Sequence, residues 1–223
     1  SGVWLGSYDS YTLAKGIGYP LFLVLAKKLC LPYSVLLSLL QAAGAWLFVR
    51  AVSVRWQNPY GQAILYLLLL FSPISLTLLV TQRLYRMAIV PGMVLVVFSS
   101  MIGLTLRKEL PLKKQLPWAF LTGLTLAFFW QIREDSVWIL PFTAVMTVWN
   151  VGYVILALHK NRTGRQLLLQ CLMLLLPILL LFGGNMTISA INQVHYGVFL
   201  TNDRTEGNFA ELMSLFYHLQ GNT

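Results

Sequence analysis

Acidic side chains are scarce in this sequence: Asp and Glu together number 7 among 223 residues, and all charged residues make up only 10%. Cysteine is rarer still, with 2. No Gly-x-Gly-x-x-Gly, P-loop, His-Glu-x-x-His or Cys-x-x-Cys pattern occurs, so the short signatures of nucleotide, zinc-hydrolase and dithiol chemistry are absent. Cys30 falls near one membrane face and Cys171 near the other in the reading below, a separation far beyond disulfide reach. Both are expected to be free thiols in apolar packing.

Apolar residues fill the space that charge leaves. At 57% hydrophobic and a mean hydropathy of +0.70, the chain lies well above the roughly 45–50% apolar content of soluble domains. Six long apolar runs are visible, near 31–52, 60–80, 86–106, 117–132, 137–158 and 167–190. A helix needs about 20 such residues to cross the hydrocarbon core, whereas a spanning strand is half as long and alternates. The expected fold is therefore all-α, a polytopic transmembrane helix bundle. Pro73, Pro91, Pro141 and Pro177, with Gly44, Gly92 and Gly123, fall inside runs, where they kink membrane helices without ending them.

The basic residues sort by loop. Arg50 and Arg55, then Arg107, Lys108, Lys113 and Lys114, then Lys160, Arg162 and Arg165 occupy three loops that alternate spans place on one side. By the positive-inside rule that side is cytoplasmic. Asp9, Glu134, Asp135, Asp203, Glu206 and Glu211 fall on the other, and Glu109 is the one acid in a basic loop. The net charge of +9 and pI of about 9.8 follow from this topology, the cations serving an anionic leaflet rather than nucleic acid. Lys27 and Lys28 lie on the outer side, where interfacial lysines snorkel to headgroups.

Three regions follow: an outer loop with an interfacial helix over 1–30, the bundle over 31–190, and the start of an extracellular segment over 191–223. The chain opens on Ser-Gly and its first thirty residues hold no complete span. The expectation is a fragment whose preceding helix, outside this sequence, delivers residue 1 to the outer face. Asn208 with Glu211 three residues on reads as a capping box, and Phe209, Leu212, Phe216 and Leu219 form an apolar face after it. More extracellular chain is expected beyond Thr223.

The outer side carries the candidate chemistry. Asp9 stands in a polar loop ahead of Gly16, Gly18 and Pro20, which open a short helix over Leu21 to Leu29. Asp9 is either a general base over the bundle mouth or a solvated loop acid. Lys15 either meets a phosphate or is hydrated. Arg83, Tyr85 and Arg86 cap one outer hairpin, and Arg133, Glu134 and Asp135 another. Guanidinium groups form bidentate bonds to phosphate, so these arginines suit a lipid-linked phosphate donor. The alternative is that Arg133 pairs locally with Glu134 or Asp135 while Arg83 and Arg86 anchor to headgroups. His195 has no second ligand at metal spacing, and Tyr196 and Phe199 suit an aromatic belt. Asn161 and Asn185 match the glycosylation pattern, one inside and one within a span, so neither is expected to be modified.

Asp9, the stretch Gly18-Tyr-Pro-Leu-Phe-Leu23, the span from Leu31 and the segment from Ile132 through Trp138 to Pro141 resemble, in order and kind, the GT-C membrane glycosyltransferases. The likeness is to the bacterial aminoarabinose-transferase-like and protein-mannosyltransferase-like branch, and it covers most of the chain. That branch commonly carries two acids in the first loop and a His-Pro or Pro-Pro before the helix. This chain has Asp9 and Gly-Ile-Gly-Tyr there, which leaves the donor and metal dependence open.

The resemblance implies transfer, with inversion, of a sugar from a polyprenyl phosphate to an outer-surface glycan, lipid or protein acceptor, in a bacterial cell membrane with the site facing outward. Asp9 is then the base, Lys15, Arg83, Tyr85, Arg86, Arg133 and Glu134 bind substrate, and the chemistry needs no cofactor. A transporter, flippase or scaffold subunit is the rival reading. Against a carrier stands the lack of ionisable residues at mid-span.

Overall fold

The computed structural model describes residues 12–13, 15–73, 85–133, 135–158, 164–203, 212 and 215. Among them every regular element is a helix, so the chain is an all-α bundle. The order is α1 (Gly18–Lys28), α2 (Tyr33–Val52), α3 (Pro59–Leu70), a 3-10 turn (Arg86–Ile89) running into α4 (Val90–Leu106), and α5 (Leu112–Trp130). A second 3-10 turn (Ser136–Ile139) then runs into α6 (Leu140–Leu158), and α7 (Gly164–Tyr196) follows. Asp9, Arg83, Glu134, Lys160, Arg162, the stretch 74–84 and, apart from helical Leu212 and Leu215, the helix expected from Asn208 lie outside the described residues.

Four stretches, Tyr33–Val52, Arg86–Leu106, Ser136–Leu156 and Gly164–Tyr196, are long and apolar enough to cross a bilayer. The fifth helix, α5, begins at Leu112 rather than near 117, because its first turn holds exposed Lys113 and Lys114 that the apolar run does not include. The second run is helical over Pro59–Leu70, with Asn58 capping it through bonds from the Tyr60 and Gly61 amides. The last helix is longer than its apolar run. At 33 residues it extends about 50 Å, against a hydrocarbon core of about 30 Å, and it passes through Pro177 without ending.

Contacts fix the directions of the helices. Gly44 of α2 faces Leu95 of α4, and Gly92 of α4 faces Leu40 of α2, where added Cβ atoms would lie 3.1 and 3.0 Å from those side chains. Small residues thus let these two helices approach closely. Because 40 pairs with 92 and 44 with 95, α2 and α4 run the same way. In α5 and α7, Leu174 packs with Ala119 and Leu180 fills the space over Gly123, so these two are also parallel to each other. The Arg50–Arg55, Arg107–Lys114 and Arg165 segments therefore gather at one end of the bundle, and the residue 13–19, 85–89 and 131–136 segments at the other.

Several hydroxyls within the helices are satisfied locally. Ser99, Thr105, Thr122, Thr125 and Thr143 each donate to the carbonyl four residues back, the arrangement that lets a hydroxyl enter hydrocarbon without an orphaned proton. Asn150 reaches across to Thr105 Oγ1 at 2.8 Å and joins α6 to α4.

The basic end is a closed network. Arg107 is 8% exposed and donates from Nη1 to the carbonyls of Ala51 (3.1 Å) and Gly103 (3.0 Å) and from Nη2 to that of Arg50 (2.8 Å). It thereby caps the C-terminal carbonyls of α2, where a cation also complements the helix dipole, and its guanidinium lies 4.1 Å over the Trp118 ring. Burial, with Arg50 nearby, lowers its proton affinity below the ordinary arginine value, yet guanidinium stays charged at any physiological pH. Glu109, the acid that stood alone in a basic loop, accepts from Tyr153 at 2.6 Å and lies 3.9 Å from Arg55. Lys108 sits 3.9 Å over the Tyr153 ring.

Arg107→Ala should lower stability in detergent by about 3 kcal/mol, since three carbonyls lose a charged donor in a buried place. Arg107→Lys should recover only part of this, because an ammonium cannot span both helix ends as the fork does. Thermal unfolding of the two variants checks both; wild-type stability in Arg107→Ala would show that the cap is not needed.

Candidate functional site

Four segments meet at the end opposite the basic network. The first is the stretch leading into α1. Leu13 and Ile17 are almost wholly buried, and Gly18 N donates to Gln131 O at 2.8 Å. An added Cβ at Gly18 would lie 2.8 Å from the Gln131 carbonyl and 2.9 Å from Ile132 N, and at Gly16 it would strike the same carbonyl. These glycines are needed because backbone lies directly against backbone; a side chain there has nothing flexible to displace. In α1, Gly18, Phe22 and Ala26 form the buried stripe while Leu21, Val24 and Leu25 stay exposed, and Lys27 and Lys28 stand exposed at its end. Pro20 is the third helical residue rather than the first, still within the turn whose amides need no intrahelical partner.

The second segment is the turn after α5. Ser136, 1% exposed, donates through its hydroxyl to Arg133 O (2.9 Å) and Phe129 O (3.2 Å) and closes the turn around Arg133. Gln131 is tied to α7 through Asn185, Nε2 to Oδ1 at 2.7 Å. The third is the 3-10 turn before α4, whose entry is held by a bond from Tyr33 Oη to Tyr85 O at 3.1 Å. Tyr33 in turn meets Tyr19 and Phe22 edge to face, at centroid distances of 6.4 and 6.1 Å. The fourth is the chain after α7. Gly197, at φ +74°, turns it back, Asn192 Nδ2 donates to Leu200 O at 2.7 Å, and Asp203 N reaches Leu13 O at 2.9 Å.

The two arginine-bearing turns touch. Nη1 of Arg133 contacts the sulfur of Met87, the neighbour of Arg86, and Nη2 pairs with Asp135. Nε of Arg133 is buried without an acceptor among the described residues. Tyr85 is exposed and Arg86 half-buried on the adjoining turn; Lys15 is exposed on the first segment. Of the expected site residues, Lys15, Tyr85, Arg86 and Arg133 thus share this end, while Asp9, Arg83 and Glu134 lie outside the described residues. Among the described residues no group of three His, Cys, Asp or Glu is placed to hold a metal.

Several residues that build this end gave no signal in the sequence. Met87, Gln131 and Asn185 are unremarkable in composition, and their pairings span 46 and 54 positions. The Asn185 glycosylation pattern did mark the right residue, for an unrelated reason. Set against family models, curated proteins and solved structures, the chain matches none; its own residues therefore carry the functional argument.

Gly18→Ala should detach the first segment from the Gln131 turn at a cost of about 1–3 kcal/mol, and tryptic cleavage after exposed Lys15 should accelerate. Gly152→Ala, where nothing lies within 4 Å of an added Cβ, serves as control. Equal cleavage of the two variants would show that the close approach is dispensable.

Proposed function

We propose that this chain is a membrane glycosyltransferase of the GT-C kind, moving a sugar from a polyprenyl phosphate to an acceptor at the outer surface. The observation that carries the reading is the contact of the Arg133 turn with the Arg86 turn through Met87, beneath a first segment bonded to Gln131. Arg133 and the turn that carries Arg86 thus lie beside the segment that follows Asp9. A second observation agrees: in the four apolar spans, Asp, Glu, Lys and Arg occur only in terminal turns, whereas an ion-coupled carrier keeps such groups at mid-depth.

In this reading Asp9 takes the proton of the acceptor hydroxyl as its oxygen attacks the anomeric carbon. The bond from that carbon to the phosphate oxygen breaks, the configuration inverts, and the electron pair leaves with the lipid phosphate. Arg133, Arg86, Arg83 and Lys15 meet the charge that grows on the departing phosphate, and fixed cations in a poorly hydrated site stabilise such charge strongly. Tyr85 and Glu134 bind sugar hydroxyls or orient Arg133. The basic end faces the cytoplasm and the site faces outward, in a bacterial cell membrane.

Two measurements test this. In membranes supplied with a polyprenyl-phosphate sugar, Asp9→Asn should cut transfer by about 10²–10⁴-fold, the usual contribution of a general base, with stability unchanged; full transfer would remove Asp9 from the mechanism. For topology, in a Cys30→Ser background that removes the exposed native thiol, a membrane-impermeant thiol reagent should label Glu134→Cys and spare Leu110→Cys in sealed cells. The reverse pattern would turn the site inward and exclude an outer acceptor.

A further inference from the structure

The contacts of Arg133 differ in how firmly they hold it. Met87 offers Nη1 a thioether, a weak acceptor. Asp135 offers Nη2 a full carboxylate, but from a side chain 57% exposed and only two residues away. Nε is buried and has no acceptor among the described residues. A guanidinium presents five N–H donors in a rigid fork suited to planar, two-oxygen acceptors, and here one carboxylate and one sulfur leave that fork part-used. The turn itself is fixed by Ser136, whose hydroxyl binds the Arg133 and Phe129 carbonyls rather than Asp135. The backbone does not need the ion pair.

We infer that Asp135 is an exchangeable occupant of the Arg133 fork: it keeps the guanidinium oriented until a lipid-linked phosphate takes its place, and then moves into solvent. This deepens the reading above and rests on it, because it takes Arg133 to meet that phosphate. The exchange grows more favourable on charge grounds as transfer proceeds. The sugar-linked donor is a phosphodiester whose single charge and two free oxygens match the carboxylate it displaces. The lipid phosphate left after transfer is a monoester with about two negative charges and three acceptor oxygens, so the fork holds it more firmly as charge grows. Exposed ion pairs contribute little, so Asp135 gives up little on leaving. Phosphate and Asp135 cannot share the fork without repulsion, so the residue opposes binding even as it orients the group that binds. Asp135 is a positioning residue and touches no reacting atom.

The test is the affinity of the full chain, in phosphatidylcholine nanodiscs, for undecaprenyl monophosphate. Arg133→Ala should weaken binding about tenfold or more, since charge-assisted bonds are lost. Asp135→Asn should tighten it about three- to fivefold, the scale of an exposed ion pair, while Asp135→Glu stays near wild type. A residue that merely holds the fold would give weaker binding on removal. Unchanged or weaker binding in Asp135→Asn, with Arg133→Ala still impaired, overturns the exchange and leaves the phosphate site standing. Unchanged binding in Arg133→Ala overturns both. Competition by phosphatidic acid separates the sources of phosphate: weak competition is expected, and competition equal to undecaprenyl monophosphate would assign the fork to bilayer headgroups and overturn the donor.

Discussion

Within hydrocarbon a backbone amide has no water to turn to, and an unsatisfied one costs several kcal/mol. That constraint shapes everything else in this chain. It makes every regular element among the described residues a helix, returns the span hydroxyls to their own carbonyls, and transfers the difficulty to helix ends. The carbonyls at the end of α2 are met by Arg107. Those of Lys108 and Leu110 are met by Gln115, and Lys108 also receives Gln170. These bonds join α2, α4, α5 and α7 at one level, so capping and bundle assembly are the same act.

At the opposite end the solution is different. The turns there are short 3-10 segments leading into α4 and α6, and the first segment closes over them by glycine-to-backbone contact. Tyr33 reaches Tyr85 and Asn192 reaches Leu200, so side chains hold loops rather than helices. A rim built this way has fixed backbone and adjustable polar tips, the combination that a binding surface requires.

The fold was legible because its signal is length. Helices over Tyr33–Val52, Arg86–Leu106 and Ser136–Leu156 coincide with apolar runs to within a few residues, since transfer to hydrocarbon acts on the sum of a segment. Departures occur where another force sets the boundary. Two lysines open α5 because their long side chains can reach past the apolar zone, and α7 continues to Tyr196 because helical bonding does not stop at the hydrocarbon edge. The candidate site was legible only in its local part. The Arg133–Asp135 pair spans two positions and was one of two readings open from the sequence. The Met87 contact, the docking of Gly18 on Gln131 and the Glu109–Tyr153 bond depend on which helices become neighbours, and no periodicity encodes that.

The contrast between the two ends bears on where chemistry can reside. Arg107, itself buried, has three carbonyls and an indole face, so a ligand anion would have to break a cap to reach it. Glu109 is engaged by Tyr153 and Arg55, and Lys108 lies over an aromatic ring. Arg133, by contrast, holds a carboxylate from a mostly exposed side chain and keeps a buried N–H without an acceptor among the described residues. Binding at a cation is governed by what must be given up as well as by what is gained. The basic network gives up helix caps, while the Arg133 turn gives up an exposed ion pair worth little in water. Charge density favours the basic loops, whereas the low cost of giving up an exposed partner favours Arg133.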